Sequence, residues 1–171
     1  MNVYVDTVES PAGELAFAVD GEGALVALQF VEGDGELTME AALEDEGFRT
    51  LRDEKRTAPA REELREYYAG ERREFGLPLS LVGSEWQKAV WRELTRIPYG
   101  ETRSYGEIAD RLDRPGAARA VGRANATNRL PVVVPCHRVI AADGSLGGFN
   151  GGLHLKELLL EHERCVAGVG S

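Results

Sequence analysis

Cys136 and His137 stand side by side in the run Val132-Val133-Val134-Pro135-Cys136-His137-Arg138-Val139-Ile140. With two cysteines and three histidines in the whole chain, this adjacency says more than either residue alone. A thiolate is a strong nucleophile, but a free cysteine is mostly protonated near neutral pH. A neighbouring imidazole can take the proton, directly or through one water. The imidazole needs an orienting group, and triad logic makes that a carboxylate. The C-terminal helix predicted over 153–163 offers Glu157, Glu161 and Glu163, and spacing does not choose among them. Zinc is a weaker reading of the same region. Cys136, His137, His162 and Cys165 could supply four ligands, but adjacent Cys and His cannot easily bite one ion, and neither CxxC nor HxxxH occurs. No metal is expected. The run Gly147-Gly148-Phe149-Asn150-Gly151-Gly152 lacks the dinucleotide fingerprint and a Walker lysine. It reads as a close-approach loop that leads into the last helix.

Several elements must position this pair. The apolar stretch 130–135 is strand-sized and runs into Pro135. Ser84 with Gln87 forms a capping-box pattern and opens a helix over 85–96, stopped by Ile97-Pro98-Tyr99-Gly100. Ser104 with Glu107 forms a second, opening a helix to about residue 112. The turn Asp113-Arg114-Pro115-Gly116 leads to a helix over 117–126 whose Ala117, Ala118, Ala120, Gly122, Ala124 and Ala126 are all small. Two short helices across a Gly-containing turn suit a helix-turn-helix over about 104–126. Small side chains allow close approach to another surface. Arg119 and Arg123 interrupt them and point that surface at DNA, since a core-facing helix gains nothing from arginine.

The first half has a different pattern. Apolar and polar residues alternate over 2–8, 14–19 and 24–30, separated by turn residues, which predicts an antiparallel meander. Short helices are predicted near 39–46 and over 59–69, the latter opened by Pro59 and ended by Gly70. The stretch 76–83 reads as a linker or strand. The predicted organisation is α+β, with an N-terminal α/β domain over 1–76 and a mostly helical domain over 77–171.

Composition sets the outer bounds. The chain has 171 residues, 43% apolar and 29% charged, which is a globular composition with enough apolar side chains for a core. No run approaches the roughly 20 apolar residues of a membrane span. The N-terminus lacks the basic-then-apolar pattern of a secretory signal, so a cytoplasmic protein with free thiols is expected. A net charge of −9 argues against nucleic acid, but the charge is unevenly spread. Residues 1–84 carry 8 basic and 19 acidic side chains, whereas residues 85–171 carry 12 and 10. Between 111 and 138 six arginines (Arg111, Arg114, Arg119, Arg123, Arg129, Arg138) face one acid, Asp113. A phosphate backbone senses local charge, because the Debye length is about 8 Å at physiological salt.

Taken together, these segments resemble the O6-alkylguanine-DNA alkyltransferases. The resemblance covers residues 77–163. It rests on Ile97-Pro98-Tyr99-Gly100-Glu101-Thr102, Ser104-Tyr105, Ala117-Ala118-Arg119-Ala120-Val121-Gly122, Asn128, Pro135-Cys136-His137-Arg138-Val139, and the stretch from Gly151-Gly152-Leu153 to His162-Glu163. It implies that Cys136 accepts the alkyl group, that His137 is its water-mediated base and that Glu163 orients His137. It implies that Arg119 enters the stack where the damaged guanine leaves. Tyr105 would crowd the 3′ phosphate, with its hydroxyl towards the departing base. Asn128 would tie the recognition helix to the cysteine loop, and Lys156 would lie near Tyr105. The carbonyls of Cys136 and Val139 would accept from the guanine amino group, and Asn150 and Gly151 would line the base pocket. The partner implied is double-stranded DNA, entered from the minor groove by a monomer without a cofactor. The first half resembles the family only in its meander and helix, an α/β roll like that of ribonuclease H. Trp86 stands where the family commonly has Phe, and Phe149 where some members have Tyr. Two other readings are a lesion-binding relative without transfer, against which Cys136 argues, and a Cys-His-Glu hydrolase, which leaves the arginine-bearing helix pair unexplained.

Overall fold

A computed structural model describes residues 1–31, 35–147 and 152–168. The chain divides into two compact units, Met1–Leu81 and Val82–Ser171. The first is built on a four-stranded sheet of order β3-β2-β1-β4. The strands β1 (Asn2–Ser10), β2 (Gly13–Asp20) and β3 (Leu25–Phe30) form the antiparallel meander, and the short β4 (Arg49–Leu51) lies parallel to β1. The alternation seen in the sequence puts Val3, Val5, Ala16, Ala18, Val26 and Ala27 into a core with Met39 and Leu43 of helix α1 (Gly35–Asp45). Helix α2 (Glu54–Tyr68) buries Ala60, Leu64 and Tyr67.

Helix α2 begins five residues before the expected start at Pro59. Asp53 is its N-cap, accepting from the Lys55 N–H, and Pro59 sits inside the helix. The unit boundary also lies later than the expected break between 76 and 77. Leu25 N–H donates to the Pro78 carbonyl and Ser80 N–H to the Leu25 carbonyl, both at 2.9 Å, so this stretch pairs with the end of the meander.

The second unit is mostly helical: α3 (Glu85–Leu94), α4 (Tyr105–Arg111), α5 (Ala118–Ala126) and α6 (Leu153–Ala167). Both capping boxes are present, Ser84 with Gln87 and Ser104 with Glu107. The turn between α4 and α5 uses positive φ at Asp113 and Gly116, 57° and 85°, and Asp is among the few non-glycine residues that tolerate this region. Trp86 and Trp91 of α3 donate their indole N–H groups to the Ala120 and Ala124 carbonyls of α5, fixing the helix pair on its support. A two-residue parallel pairing joins β5 (Arg103–Ser104) to β6 (Val139–Ile140). It brings the start of α4 beside the chain that follows Cys136.

Residues 130–135 do not form the expected strand. They make a buried turn in which Val134 N–H donates to the Leu130 carbonyl at 2.8 Å and Val132 adopts φ 75°. Asn128 closes the turn from both ends, donating to the Val134 carbonyl and accepting from the Leu130 N–H. Pro131 and Pro135 lack the N–H groups a ladder needs, and that signal was present in the sequence.

Candidate active site

Cys136, His137 and Arg138 form a single 3-10 turn that leads into β6. All three are buried, with Cys136 4% exposed and His137 fully enclosed. Three elements converge on the turn. The first is α6, which buries Lys156 and Glu163 on one face and leaves Glu157 and Glu161 exposed. That burial decides which of the three acids serves the imidazole. The second is the Ile97-Pro98-Tyr99-Gly100 turn. Gly100 has φ 82°, and a Cβ there would come within 2.9 Å of the Ala167 Cβ. Only glycine lets this turn approach α6 so closely. The third is the turn closed by Asn128.

Glu163 is the hub. Its Oε2 accepts from His137 Nε2 at 2.7 Å and from Arg138 Nη2 at 2.9 Å, while its Oε1 accepts from Arg138 Nε at 2.7 Å. Burial alone would raise the Glu163 carboxyl, but the hydrogen bonds from His137 and Arg138 outweigh it and hold the group well below the usual range. Burial likewise pulls His137 below its ordinary value, against the pull of the Glu163 carboxylate. The pair is therefore a carboxylate and a neutral imidazole. Nε2 carries the hydrogen and Nδ1 carries the lone pair. Nδ1 is buried and has no hydrogen-bond partner among the described residues.

The sulfur lies in an environment of mixed effect. Burial pushes the Cys136 thiol up to about 11, while a hydrogen bond from Asn128, the Lys156 ammonium and the backbone N–H groups of Cys136 and His137 oppose the rise. The resting group is thus a neutral thiol. The donors that would receive a thiolate are already in place. Lys156 is itself brought down to about 8 by burial, partly offset by Cys136. Its Nζ donates to the Val139 carbonyl at 2.6 Å and to the Leu146 carbonyl.

The fold thus gathers Cys136, His137, Asn128, Val139, Lys156 and Glu163. The Val139 oxygen already holds Lys156, and the Cys136 oxygen accepts from the Val139 N–H and, at 3.5 Å, from Asn125 Nδ2. Tyr105 opens α4 and packs between Gly122 of α5 and Gly147, where a Cβ would come within 2.7 Å of its hydroxyl. Gly147 follows Leu146, whose carbonyl holds Lys156, and this is how the lysine and the tyrosine come to share one neighbourhood. Arg119 and Arg123 are exposed on α5, whereas Val121, Ala124 and Asn125 face inward. Phe149, Asn150 and Gly151 lie outside the described residues. Arg138, one of the six arginines that make 111–138 locally positive, is 6% exposed and bound to Glu163. Its position directly after the Cys-His pair, on a turn that must be buried, was the signal for its role.

Comparison with known proteins adds independent findings. Residues 85–165 match the family described as 6-O-methylguanine DNA methyltransferase, DNA binding domain, and residues 3–81 match its ribonuclease-like domain. The chain is 44% identical over 165 residues to the methylated-DNA–protein-cysteine methyltransferase of Mycobacterium tuberculosis H37Rv, covering 96% of this chain and 94% of the relative. The constitutive enzyme of that name in Bacillus subtilis is also 44% identical over 165 residues, covering 96% of each. The crystal structure of Mycobacterium tuberculosis OGT in complex with DNA superposes with TM-score 0.81 at 40% identity, covering 97% of this chain and 94% of that one. An O6-methylguanine-DNA methyltransferase from the archaeon Pyrococcus kodakaraensis gives 0.71 at 26% identity, covering 94% and 98%.

Proposed function

The chain belongs to the 6-O-methylguanine DNA methyltransferase family and repairs DNA by moving a methyl group onto a cysteine of its own, and we propose that this cysteine is Cys136. One observation carries the assignment. His137 gives its Nε2 hydrogen to Glu163 and keeps a buried lone pair on Nδ1, one residue from a buried thiol. In this reading Nδ1 takes the thiol proton through a water as the damaged base enters. The sulfur attacks the alkyl carbon in line, a carbon–sulfur bond forms and the carbon–O6 bond breaks. The electron pair leaves with guanine, which gains a proton at N1 to balance the one lost by the thiol. The product is a thioether. Neither water nor a thiol opens a thioether carbon–sulfur bond without further activation, so each chain acts once.

A duplex hides O6, so the base must be turned out. Arg119 fills the gap in this reading, which its exposure on α5 supports. Tyr105, at the N-terminus of α4, presses the phosphate beside it and presents its hydroxyl to the departing base. The small-residue face of α5 suits the minor groove. The lesion class is O6-alkylguanine, with O4-alkylthymine as a second substrate, and the protein works as a monomer in the cytoplasm. The two units divide the labour, with Val82–Ser171 holding the chemistry and Met1–Leu81 supporting it.

Two substitutions test the reading. Cys136→Ala is expected to abolish transfer from an O6-methylguanine duplex while leaving binding of that duplex intact. Simultaneous loss of both would make Cys136 a structural residue. Arg119→Ala is expected to weaken binding and transfer more than Arg111→Ala, whose guanidinium lies 3.8 Å from Glu93. Equal effects would remove the intercalating role.

A further inference from the structure

Arg138 joins two of the elements that build the site, α6 and the Ile97–Gly100 turn. Its guanidinium spans both oxygens of Glu163, its Nη1 donates to the Ile97 carbonyl at 2.8 Å, and it lies over the Tyr99 ring at 5.4 Å from the centroid. The fork leaves Glu163 Oε2 shared between Arg138 and His137. We propose that Arg138 is a positioning residue for alkyl transfer: by balancing Glu163 it keeps the shared proton off the carboxylate–imidazole pair and holds the His137 Nδ1 lone pair ready for the thiol. This rests on the assignment of Cys136 as the acceptor.

Consider the site without the guanidinium. A buried carboxylate loses a bidentate cationic partner, and the pair gains affinity for a proton. That proton has two places to sit, and both disable the base. On the imidazole it fills Nδ1. On the carboxyl it donates to Nε2 and moves the ring hydrogen to Nδ1. The other charges around the pair do not substitute for Arg138. Lys156 of α6 disfavours a charged His137 but donates to the Val139 and Leu146 carbonyls. Cys136, on the same turn, is held as the neutral thiol. From α3, the buried charge is Glu93, which is turned to Arg96 and Arg111. The Ile97–Gly100 turn contributes the Ile97 carbonyl and the Tyr99 ring. Lysine cannot reproduce the fork, because an ammonium is a point charge.

The test is single-turnover transfer from an O6-methylguanine duplex at saturating protein across pH 5.5 to 9.5, with duplex affinity measured in parallel. Wild type must first place the methyl on Cys136; if it does not, the assignment of Cys136 fails and Arg138 is not at issue. With that established, Arg138→Gln is expected to move the acid limb of the profile up by about one pH unit, so that the loss approaches about tenfold at the acid end and fades towards pH 9.5, with affinity unchanged within about twofold. Arg138→Lys is expected to shift in the same direction by less, and it carries the test should Arg138→Gln fail to fold. Ring-nitrogen NMR is expected to show the Nε2–H tautomer for His137 in wild type and a protonated or reversed ring in the variant. A wild-type profile in a folded variant would overturn the proposal. So would a loss that is uniform across pH and tracks duplex affinity.

Discussion

At the residue scale the buried His137–Glu163 pair links chemistry to acid stability. His137 is held below its ordinary 6.5, chiefly by burial, so the unfolded chain takes up a proton there that the folded chain refuses. Stability therefore falls as pH drops through about 6.5. Burial alone would raise Glu163, but the hydrogen bonds from His137 and Arg138 hold it well below 4.5. Its contribution is full above about pH 4.5 and is lost as pH falls towards the folded value. Both effects have the same sign. Urea unfolding is expected to give a free energy that declines from about pH 7.5 to 5 and more steeply below 4.5. A value that holds or rises over the first interval would contradict the assignment of a neutral buried imidazole. Cys136 and His137 were legible from adjacency alone. Glu163 was reached only through the family resemblance, because spacing along a helix face tolerates Glu157, Glu161 and Glu163 until the burial of α6 is known. Arg138 entered the sequence reading only as one of six positive charges, because sequence charge does not say which arginines are buried.

At the element scale the site depends on how α4 begins and on how the chain enters the 3-10 turn. Ser104 caps the helix that carries Tyr105. Ser104→Ala is expected to cost about 0.5–2 kcal/mol by urea unfolding and to slow transfer, while Cys136→Ala leaves the cap untouched. No measurable loss would show that the β5–β6 pairing alone sets the helix start. Capping boxes were readable because both partners sit three residues apart in the chain. Pro131 and Pro135 argued against a strand at 130–135, but the turn that replaces it was not readable, because the Asn128 side chain closes it and a left-handed residue bends it, neither visible as a period. That residue makes a second test. Val132 and Val134 are equally buried, but only Val132 has φ 75°. Glycine relieves about 1–2 kcal/mol of left-handed strain, so Val132→Gly is expected to destabilise less than Val134→Gly by about that amount. Equal losses would contradict the strained turn.

At the scale of the whole molecule, charge is divided between the units as the sequence indicated, but the surface available to phosphate is smaller than the arginine count implied. Of the six arginines between 111 and 138, Arg138 is inside, Arg111 faces Glu93 and Arg129 is half-buried, while Arg114, Arg119 and Arg123 are exposed. Each neutralised phosphate contributes about −0.9 to the slope of log affinity against log salt. Three to four contacts give a slope of about −3, measurable by fluorescence anisotropy. A slope steeper than about −6 would require a much larger basic footprint than this surface holds. Weak phosphate attraction places more of the burden on groove fit and on the pocket that takes the base.

The most direct measurement is the intact mass of the protein after incubation with an excess of O6-methylguanine duplex, followed by peptide mapping. The account predicts one added methyl per chain, on Cys136, and no further repair once every chain is modified. A methyl on another residue, duplex bound without any gain in mass, or repair that continues with unmodified protein would contradict it.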